Sequence, residues 1–281
     1  MTYFFIGGCP RSGTTLLQNI LCSDATVNPL IGEVGYLYHL VNAYSTGKLD
    51  FNSQSKYYFS DLAELQSFSA QLVNKFLEHT RKRYAPATHL ILKYPLIAEL
   101  FPDIYELVED VKFILIIRDP RDTIASLIEV GNKMAKQEEN RHLTPMFMER
   151  KISEFLDFYR RAYAASWNCH LAEFQTHVSY IKYEYLVLNP QAAIQQLKNF
   201  TGLNFGIDNI ADKWQRNQIN YSQLSNAEKP WYSELYGKGI SPASVGRYRQ
   251  VLGEEEIRFI EQEGADILKN FRYHCHVPKV V

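Results

Sequence analysis

Four short apolar runs punctuate the chain: Tyr3 to Ile6, His89 to Leu92, Phe113 to Ile117 and Val178 to Lys182. They are rich in β-branched and aromatic residues and show little two-residue alternation, the pattern of strands covered on both faces. Between them the apolar positions recur at three- and four-residue steps, so the chain reads as βαβ units, an α/β fold with a parallel sheet flanked by helices. The most regular helical stripe is Ile152, Phe155, Leu156, Tyr159, Tyr163 and Trp167, which predicts a helix with that face packed on the core. Asn189-Pro190 supplies an N-cap and a first-turn proline and Gly202 a stop, bracketing a helix over Gln191 to Phe200. Further helices are expected over Val34 to Val41 and Glu254 to Asn270.

Two stretches break the pattern. Asn132 to Pro145 is charged and weakly apolar and reads as a mobile surface connection. Asn217 to Gly246 has little periodicity but carries Tyr221, Trp231, Tyr232 and Tyr236; an aromatic segment of that length without regular structure is expected to serve function, here as a lid. There is no internal repeat, and the strands are spread through most of the chain, so residues 1–281 are expected to form one domain.

Composition narrows the function. Lys and Arg total 30 against 31 Asp and Glu, a net charge of −1, so no global basic field exists for nucleic acid or an anionic membrane and any anion site must be local. With 46% hydrophobic and 22% charged residues the chain is globular rather than disordered. No apolar run approaches the roughly 18 residues of a spanning helix, and no leader is evident, which makes a soluble, cytoplasmic protein the expectation. Cys9, Cys22, Cys169 and Cys275 lie far apart without CxxC spacing, so reduced thiols are expected. His274-Cys275-His276 lacks a companion ligand cluster, and no metal site is expected.

The chemistry begins after the first strand, at Gly7-Gly8-Cys9-Pro10-Arg11-Ser12-Gly13-Thr14-Thr15, followed by a helix opening at Leu16. Strand, glycine loop and helix together make a phosphate cradle, with backbone N–H groups aimed at an anion at the positive end of the helix dipole. Gly8 and Gly13 have the spacing of the nucleotide P-loop, GxxxxGK[ST], yet Thr14 stands where its lysine would be. Arg118 precedes Asp119 at the third strand's end, a poor neighbour for Mg²⁺. The loop suits a phosphate-like group handled without metal; the rival reading is a P-loop nucleotide kinase or phosphatase-like protein.

These residues resemble the sulfotransferases that use 3′-phosphoadenosine 5′-phosphosulfate (PAPS) and release adenosine 3′,5′-bisphosphate (PAP). Pro10 to Thr15 is similar to the family's 5′-phosphosulfate loop, which implies cofactor-binding roles for Arg11, Ser12, Gly13, Thr14 and Thr15. Arg118-Asp119-Pro120 through Ser126 resembles the 3′-phosphate motif; Asp119-Pro120 would cap a helix and set Ser126 about two turns along, able to share an anion with Arg118. Lys93 matches the strand-end lysine that contacts the donor's bridging oxygen. Tyr183-Glu184-Tyr185-Leu186 resembles a segment of tyrosylprotein sulfotransferases and makes Tyr183 a nucleotide contact. Lys238 to Arg249 resembles the basic loop over the 3′-phosphate, with Lys238, Ser241 and Arg247 as its candidates.

Small-molecule sulfotransferases of animal cytosol place a basic histidine two residues after that lysine, and here the position is Pro95. Tyrosylprotein sulfotransferases use a glutamate after the first helix, and Gly32-Glu33-Val34 lies in that region, so the resemblance implies Glu33 and Lys93 as the catalytic pair, with His39 and Glu99 in reserve. The expected reaction is sulfuryl transfer to a hydroxyl or amine of a small, secondary-metabolism acceptor, with a peptide tyrosine as the alternative. Neither nucleic acid nor membrane is an expected partner, and oligomeric state is open.

Overall fold

The structure, a computed structural model, describes residues 1–136, 145–206 and 228–274. Four strands, β1 (Tyr3–Gly7), β2 (Leu90–Lys93), β3 (Val111–Ile117) and β4 (Val178–Lys182), form a parallel sheet in the order β2-β1-β3-β4. Helices α1 (Thr14–Leu21), α2 (Gly35–Leu49) and α3 (Leu62–Arg83) connect β1 to β2, and α4 (Phe101–Leu107) leads into β3. Between β3 and β4 lie α5 (Pro120–Ala135), α6 (Pro145–Glu149), α7 (Ile152–Asn168) and α8 (Ala172–Thr176). Helices α9 (Tyr183–Leu188) and α10 (Pro190–Thr201) follow, then short helices over Tyr248–Val251, Glu254–Glu263 and Ala265–Asn270.

Alternate strand residues feed two separate cores, as the two-residue strand period requires. Phe5, Leu92, Phe113, Leu115 and Ile117 face the side covered by α2, α3, α4, α5 and α7. Phe4, Ile6, Ile91, Ile114 and Ile116 face α1, α9 and α10. With both faces of the sheet covered, apolar side chains fill most strand positions, which is why these runs read as nearly continuous.

Parallel pairing also gathers the strand ends. Ile6 pairs with Lys93, Gly7 with Leu115 and Ile117 with Lys182, so Gly8, Lys93, Arg118 and Tyr183 emerge along one edge of the sheet. The chain passes from β1 to its neighbour β2 and then crosses back over β1 to β3, and at such a reversal of direction a crevice opens outside the strands' carboxyl ends.

Several expectations shift by local physics. Trp167 is 41% exposed, because Ser166 takes the buried position at the end of the α7 stripe. The last helix is broken at Gly264, where an added β-carbon would sit 2.5 Å from the Ile260 carbonyl oxygen. Helix α5 runs on to Ala135, so Asn132 to Ala135 are helical rather than loop, while 137–144 lie outside the described residues. The Asp119 carboxylate caps α5 by accepting the Arg121 N–H at 2.9 Å, whereas Asn189 makes no side-chain cap and Pro190 alone sets the first turn of α10. Cys275 and His276, and 217–227 of the expected lid, lie outside the described residues. Among the described residues no helix is long and apolar enough to cross a membrane, no group of three or more His, Cys, Asp or Glu could hold a metal, and Cys9, Cys22 and Cys169 are free thiols.

Candidate active site

The loop after β1 is shaped by close approach. Gly8 (φ 147°) passes so near β3 that a β-carbon would lie 2.4 Å from the Ile116 carbonyl oxygen, and at Gly13 (φ 104°) it would lie 2.7 Å from the Tyr183 ring. No other residue type fits either place. Tyr163 on α7 ties the loop to the sheet: its hydroxyl accepts the Cys9 N–H at 3.1 Å and donates to the Ile116 carbonyl at 3.0 Å. Gly13 starts α1, whose first N–H groups have no intrahelical acceptor and point into the space above the loop. Arg11 holds a left-handed backbone (φ 74°), and its carbonyl accepts from Arg118 at 3.0 Å.

A cavity of about 420 Å³ lies over this loop, bounded by α5, Tyr183 and the 233–247 segment. Its charged lining is Arg11, Arg118, Lys133, Lys136 and Arg247 against Asp122, Glu129 and Glu234, two positive charges in excess on a chain whose net charge is −1. Arg118 is almost wholly buried, lies over the Tyr183 ring at 4.7 Å and donates to the Ser244 carbonyl, yet its Nε has no partner among the described residues. Arg11 Nε donates to Ser126 Oγ at 3.1 Å and Nη1 to the Trp231 carbonyl. Burial, with the charge of Arg118 beside it, pulls the Arg11 pKa below the usual arginine range. Buried guanidiniums held by neutral oxygens, with a donor to spare, are what an anion would complete. Arg247 is paired with Glu129 at 2.5 Å.

A second cavity of about 1580 Å³ meets the first at Arg11, Thr14, Thr15, Tyr232 and Tyr236. In the larger cavity, Lys93 Nζ donates to Glu33 Oε1 at 2.6 Å; the lysine side chain is 5% exposed and the glutamate 48%. The pair is placed by lacing the α1–α2 connection onto the free edge of β2. Val27 bridges His89, Asn28 exchanges hydrogen bonds with the backbone of Ile91, and Val34 N–H donates to the Lys93 carbonyl. A loop that satisfies an edge strand's backbone groups cannot slide along it, which sets Glu33 opposite Lys93.

A model described as the sulfotransferase family matches residues 4–206. The chain belongs to the sulfotransferase family. It is 29% identical over 204 residues, 72% of its length, to a candidate protein-tyrosine sulfotransferase of Caenorhabditis briggsae, and 29% over 128 residues, 46% of its length, to the Drosophila melanogaster protein-tyrosine sulfotransferase. Those matches span 65% and 25% of the two relatives. The sulfotransferase domain of the Synechococcus PCC 7002 olefin synthase superposes with a TM-score of 0.58 at 15% identity, covering 99% of this chain and 95% of that one. A mouse sulfotransferase complexed with PAP superposes at 0.51 and 16% identity, covering 96% and 85%. These structures share its fold.

In this sulfotransferase Arg11, Thr14 and Thr15 line both cavities, Gly13, Arg118, Ser126, Tyr183, Ser241 and Arg247 line the smaller, and Glu33 and Lys93 line the larger. Ser12 is buried beneath the loop and Lys238 is exposed; both stand outside the two linings. His39 is exposed on α2 beside Tyr38, and Glu99 sits behind the wall, where burial raises its pKa. Lys133, Ser244, Tyr94, Phe158 and Arg161 enter the linings unannounced by any motif. Lys133 had a detectable signal, standing seven residues after Ser126 and so on the same face of α5.

Proposed function

We propose that this sulfotransferase moves a sulfuryl group from PAPS to a hydroxyl or amine of a small acceptor, releasing PAP. The observation that carries the reading is the junction of a cationic cavity with an aromatic one at the loop Arg11 to Thr15, beside the Lys93–Glu33 pair. The smaller cavity fits a nucleotide with a 3′-phosphate on three counts: the unpartnered Arg118 Nε, the positive lining, and a loop that glycines at 8 and 13 let pack directly against β3 and the Tyr183 ring. When bound, PAPS supplies a sulfuryl group already activated by its phosphate leaving group. In this reading Arg118, Ser126, Ser241 and Arg247 hold the 3′-phosphate, and Arg11 to Thr15 hold the 5′ side.

Sulfuryl transfer asks the protein for position and charge rather than covalent chemistry. Lys93, shielded from water, meets negative charge growing on the bridging oxygen, and Glu33 accepts the proton that a hydroxyl acceptor must lose. The 228–246 segment closes over the junction, with Tyr236 donating to Thr15 Oγ1 at 3.2 Å and Trp231 receiving Arg11, and keeps out water that would intercept the sulfuryl group. Tyr94, Phe147, Phe158, Trp231, Tyr232 and Tyr236 give the larger cavity walls suited to an aryl or otherwise apolar acceptor body.

Binding titration tests the donor: PAP should bind more tightly than AMP or ATP, without Mg²⁺, and equal affinity for AMP would remove the role given to Arg118 and Ser126. Labelled sulfate transfer from PAPS into a cell extract tests the acceptor, with label expected in small molecules. The second reading, a peptide tyrosine acceptor, is favoured by the names of the nematode and fly relatives. A labelled protein band without a labelled small molecule would establish it instead. A cytoplasmic setting accords with the small acceptor.

A further inference from the structure

The larger cavity is lined by nine charged side chains: Arg11, Glu33, Lys93, Glu149, Lys151, Glu154, Asp157, Arg161 and Glu228. Eight are already committed. Lys93 holds Glu33 at 2.6 Å, Lys151 holds Glu149 at 2.6 Å and Glu154 at 3.4 Å, and Arg160 holds Asp157 at 3.2 Å. Arg11 is bonded to Ser126 and Trp231, and Glu228 is engaged as well. Arg161 differs. It makes no hydrogen bond or ion pair with any described residue, and its one close contact is the ring of Phe158, 5.8 Å from its guanidinium carbon. The longer-range field of Arg161 reaches Glu99 and lowers its carboxyl pKa against the larger upward push of burial.

Arg161 is placed by the register of α7. Phe155, Tyr159 and Tyr163 point to the core, and Asp157, Phe158 and Arg161 fall on the flank that walls the cavity. Phe158 and Arg161, three residues apart, are neighbours on that flank, so a ring and a guanidinium present one continuous surface. A guanidinium resting on a ring keeps its N–H edges free, and its fork matches a carboxylate or similar planar anion with two parallel hydrogen bonds. Thr14, Thr15, Lys93 and Glu33 line the same cavity as this flank of α7.

We infer that Arg161 is an acceptor-specificity residue and that the acceptor carries an anionic group, a carboxylate or its equivalent, on an apolar body away from the hydroxyl or amine that is sulfated. This rests on the assignment of the larger cavity to the acceptor. The aromatic wall takes the body, and Arg161 takes the anion while Glu33 and Lys93 face the reacting atom. The paired carboxylates Glu149, Glu154 and Asp157 compete for the opposite preference, a cationic acceptor, so the two outcomes are distinguishable by charge alone.

Calorimetric titration of the full chain with three phenols of one shape decides between them: 4-hydroxyphenylacetate, its neutral amide, and tyramine. The carboxylate is expected to bind about tenfold or more tightly than the amide, as a charge-assisted bidentate pair outweighs a neutral one. Arg161→Ala should erase that ratio, Arg161→Lys should keep part of it, and Arg161→Glu should turn the preference toward tyramine. PAP affinity should be unchanged in all three variants, which also shows that they are folded. Equal binding of carboxylate and amide by the unaltered protein, tighter binding of tyramine, absence of binding by all three, or a carboxylate preference that survives Arg161→Ala would each overturn the assignment. The phenols are titrated with and without PAP, so a failure of PAP to bind counts against the donor reading while the comparison of charges still stands.

Discussion

Removing Lys93 and Glu33 singly and together tests whether their contact belongs to the reacting geometry. At 2.6 Å, and with an effective dielectric constant of about 20, the bare attraction would be about 6 kcal/mol. Two effects reduce it: water reaches the half-exposed Glu33, and taking the Lys93 ammonium out of solvent costs several kcal/mol. A net coupling of about 1–3 kcal/mol is what contacting side chains usually retain. Lys93→Ala removes one preorganised donor at the bridging oxygen, so kcat should fall by about a hundredfold to a thousandfold. Glu33→Gln keeps the size of the side chain but not the base, so with a hydroxyl acceptor the loss should be about a hundredfold to ten-thousandfold.

Each removal also disturbs the partner: the neutral amide introduced by Glu33→Gln could not anchor the ammonium by charge, and a Glu33 left unpaired by Lys93→Ala would turn to water. The losses should therefore overlap, leaving the double variant within about tenfold of the slower single one. The assay is labelled sulfate transfer from PAPS to a phenol, with thermal melts to show that each variant is folded. Strictly multiplicative losses would show that the ion pair lies outside the reacting geometry. Near-normal turnover in Glu33→Gln would remove Glu33 as the base and turn attention to Glu99 and His39. A neutral amine acceptor should depend on Glu33 less than a hydroxyl, because it attacks with its own lone pair.

Gly13→Ala should destabilise the fold by about 1–3 kcal/mol and weaken PAP binding, since its φ of 104° and the Tyr183 ring 2.7 Å from the new carbon both oppose it; Gly202→Ala, with open space around it, should cost less and leave PAP binding alone. Arg118→Lys keeps the charge but loses the planar fork, so PAP affinity should drop about tenfold or more while AMP affinity, lacking the 3′-phosphate, barely moves in the same titration. Burial pushes the Asp24 carboxyl up, but hydrogen bonds from Thr26 and Asn204 outweigh it and the folded pKa lies below the ordinary value, so its stabilisation is present above pH about 4 and is lost as pH falls through the lower folded value. Asp24→Asn should accordingly lower stability by about 1–2 kcal/mol at pH 7 in denaturant titrations, with the gap closing as pH falls through the lowered folded value. Hydrogen exchange across 228–246 should slow when PAP is added, and unchanged protection there would end its assignment as a lid.

The sheet was legible because a strand covered on both faces fills most of its positions with apolar side chains, so its run announces itself. The loop after β1 was legible for a related reason: a glycine whose added β-carbon would lie 2.4 Å from a carbonyl oxygen and an Asp-Pro that opens a helix leave local marks. The acceptor side left few. Arg161 reads in sequence as one more charge on the wet face of an amphipathic helix, and it is exposed there; only the fold shows that this face also lines the larger cavity. Asn28, which laces the Glu33 loop to β2, looks like any loop asparagine until its partner 63 residues away is known. The oxygen that Trp231 offers Arg11 is a backbone atom, which no residue identity can signal. Glu33 itself was named by resemblance alone, since it lies in the connection before α2, whose first residue is Gly35, and Gly32-Glu33-Val34 carries no local mark of a role.

Arg11 is where donor side, acceptor side and covering segment meet, and its surroundings decide how they depend on one another. Its guanidinium lines both cavities and is held by a serine hydroxyl and a main-chain carbonyl, with no carboxylate in ion-pair contact among the described residues. A phosphate arriving at the loop would add the attraction of opposite charges that these neutral oxygens lack, and so would compete on favourable terms for the same donors. One of the displaced acceptors belongs to Trp231, which also walls the acceptor cavity and stacks edge-on against Phe147 at 5.7 Å. A change at the donor loop is thus felt at the aromatic wall through a single side chain and a single carbonyl. Tyr236, five residues beyond Trp231, donates to Thr15 Oγ1 and gives the segment a second hold on the same loop, so its position over the loop does not depend on the Trp231 carbonyl alone.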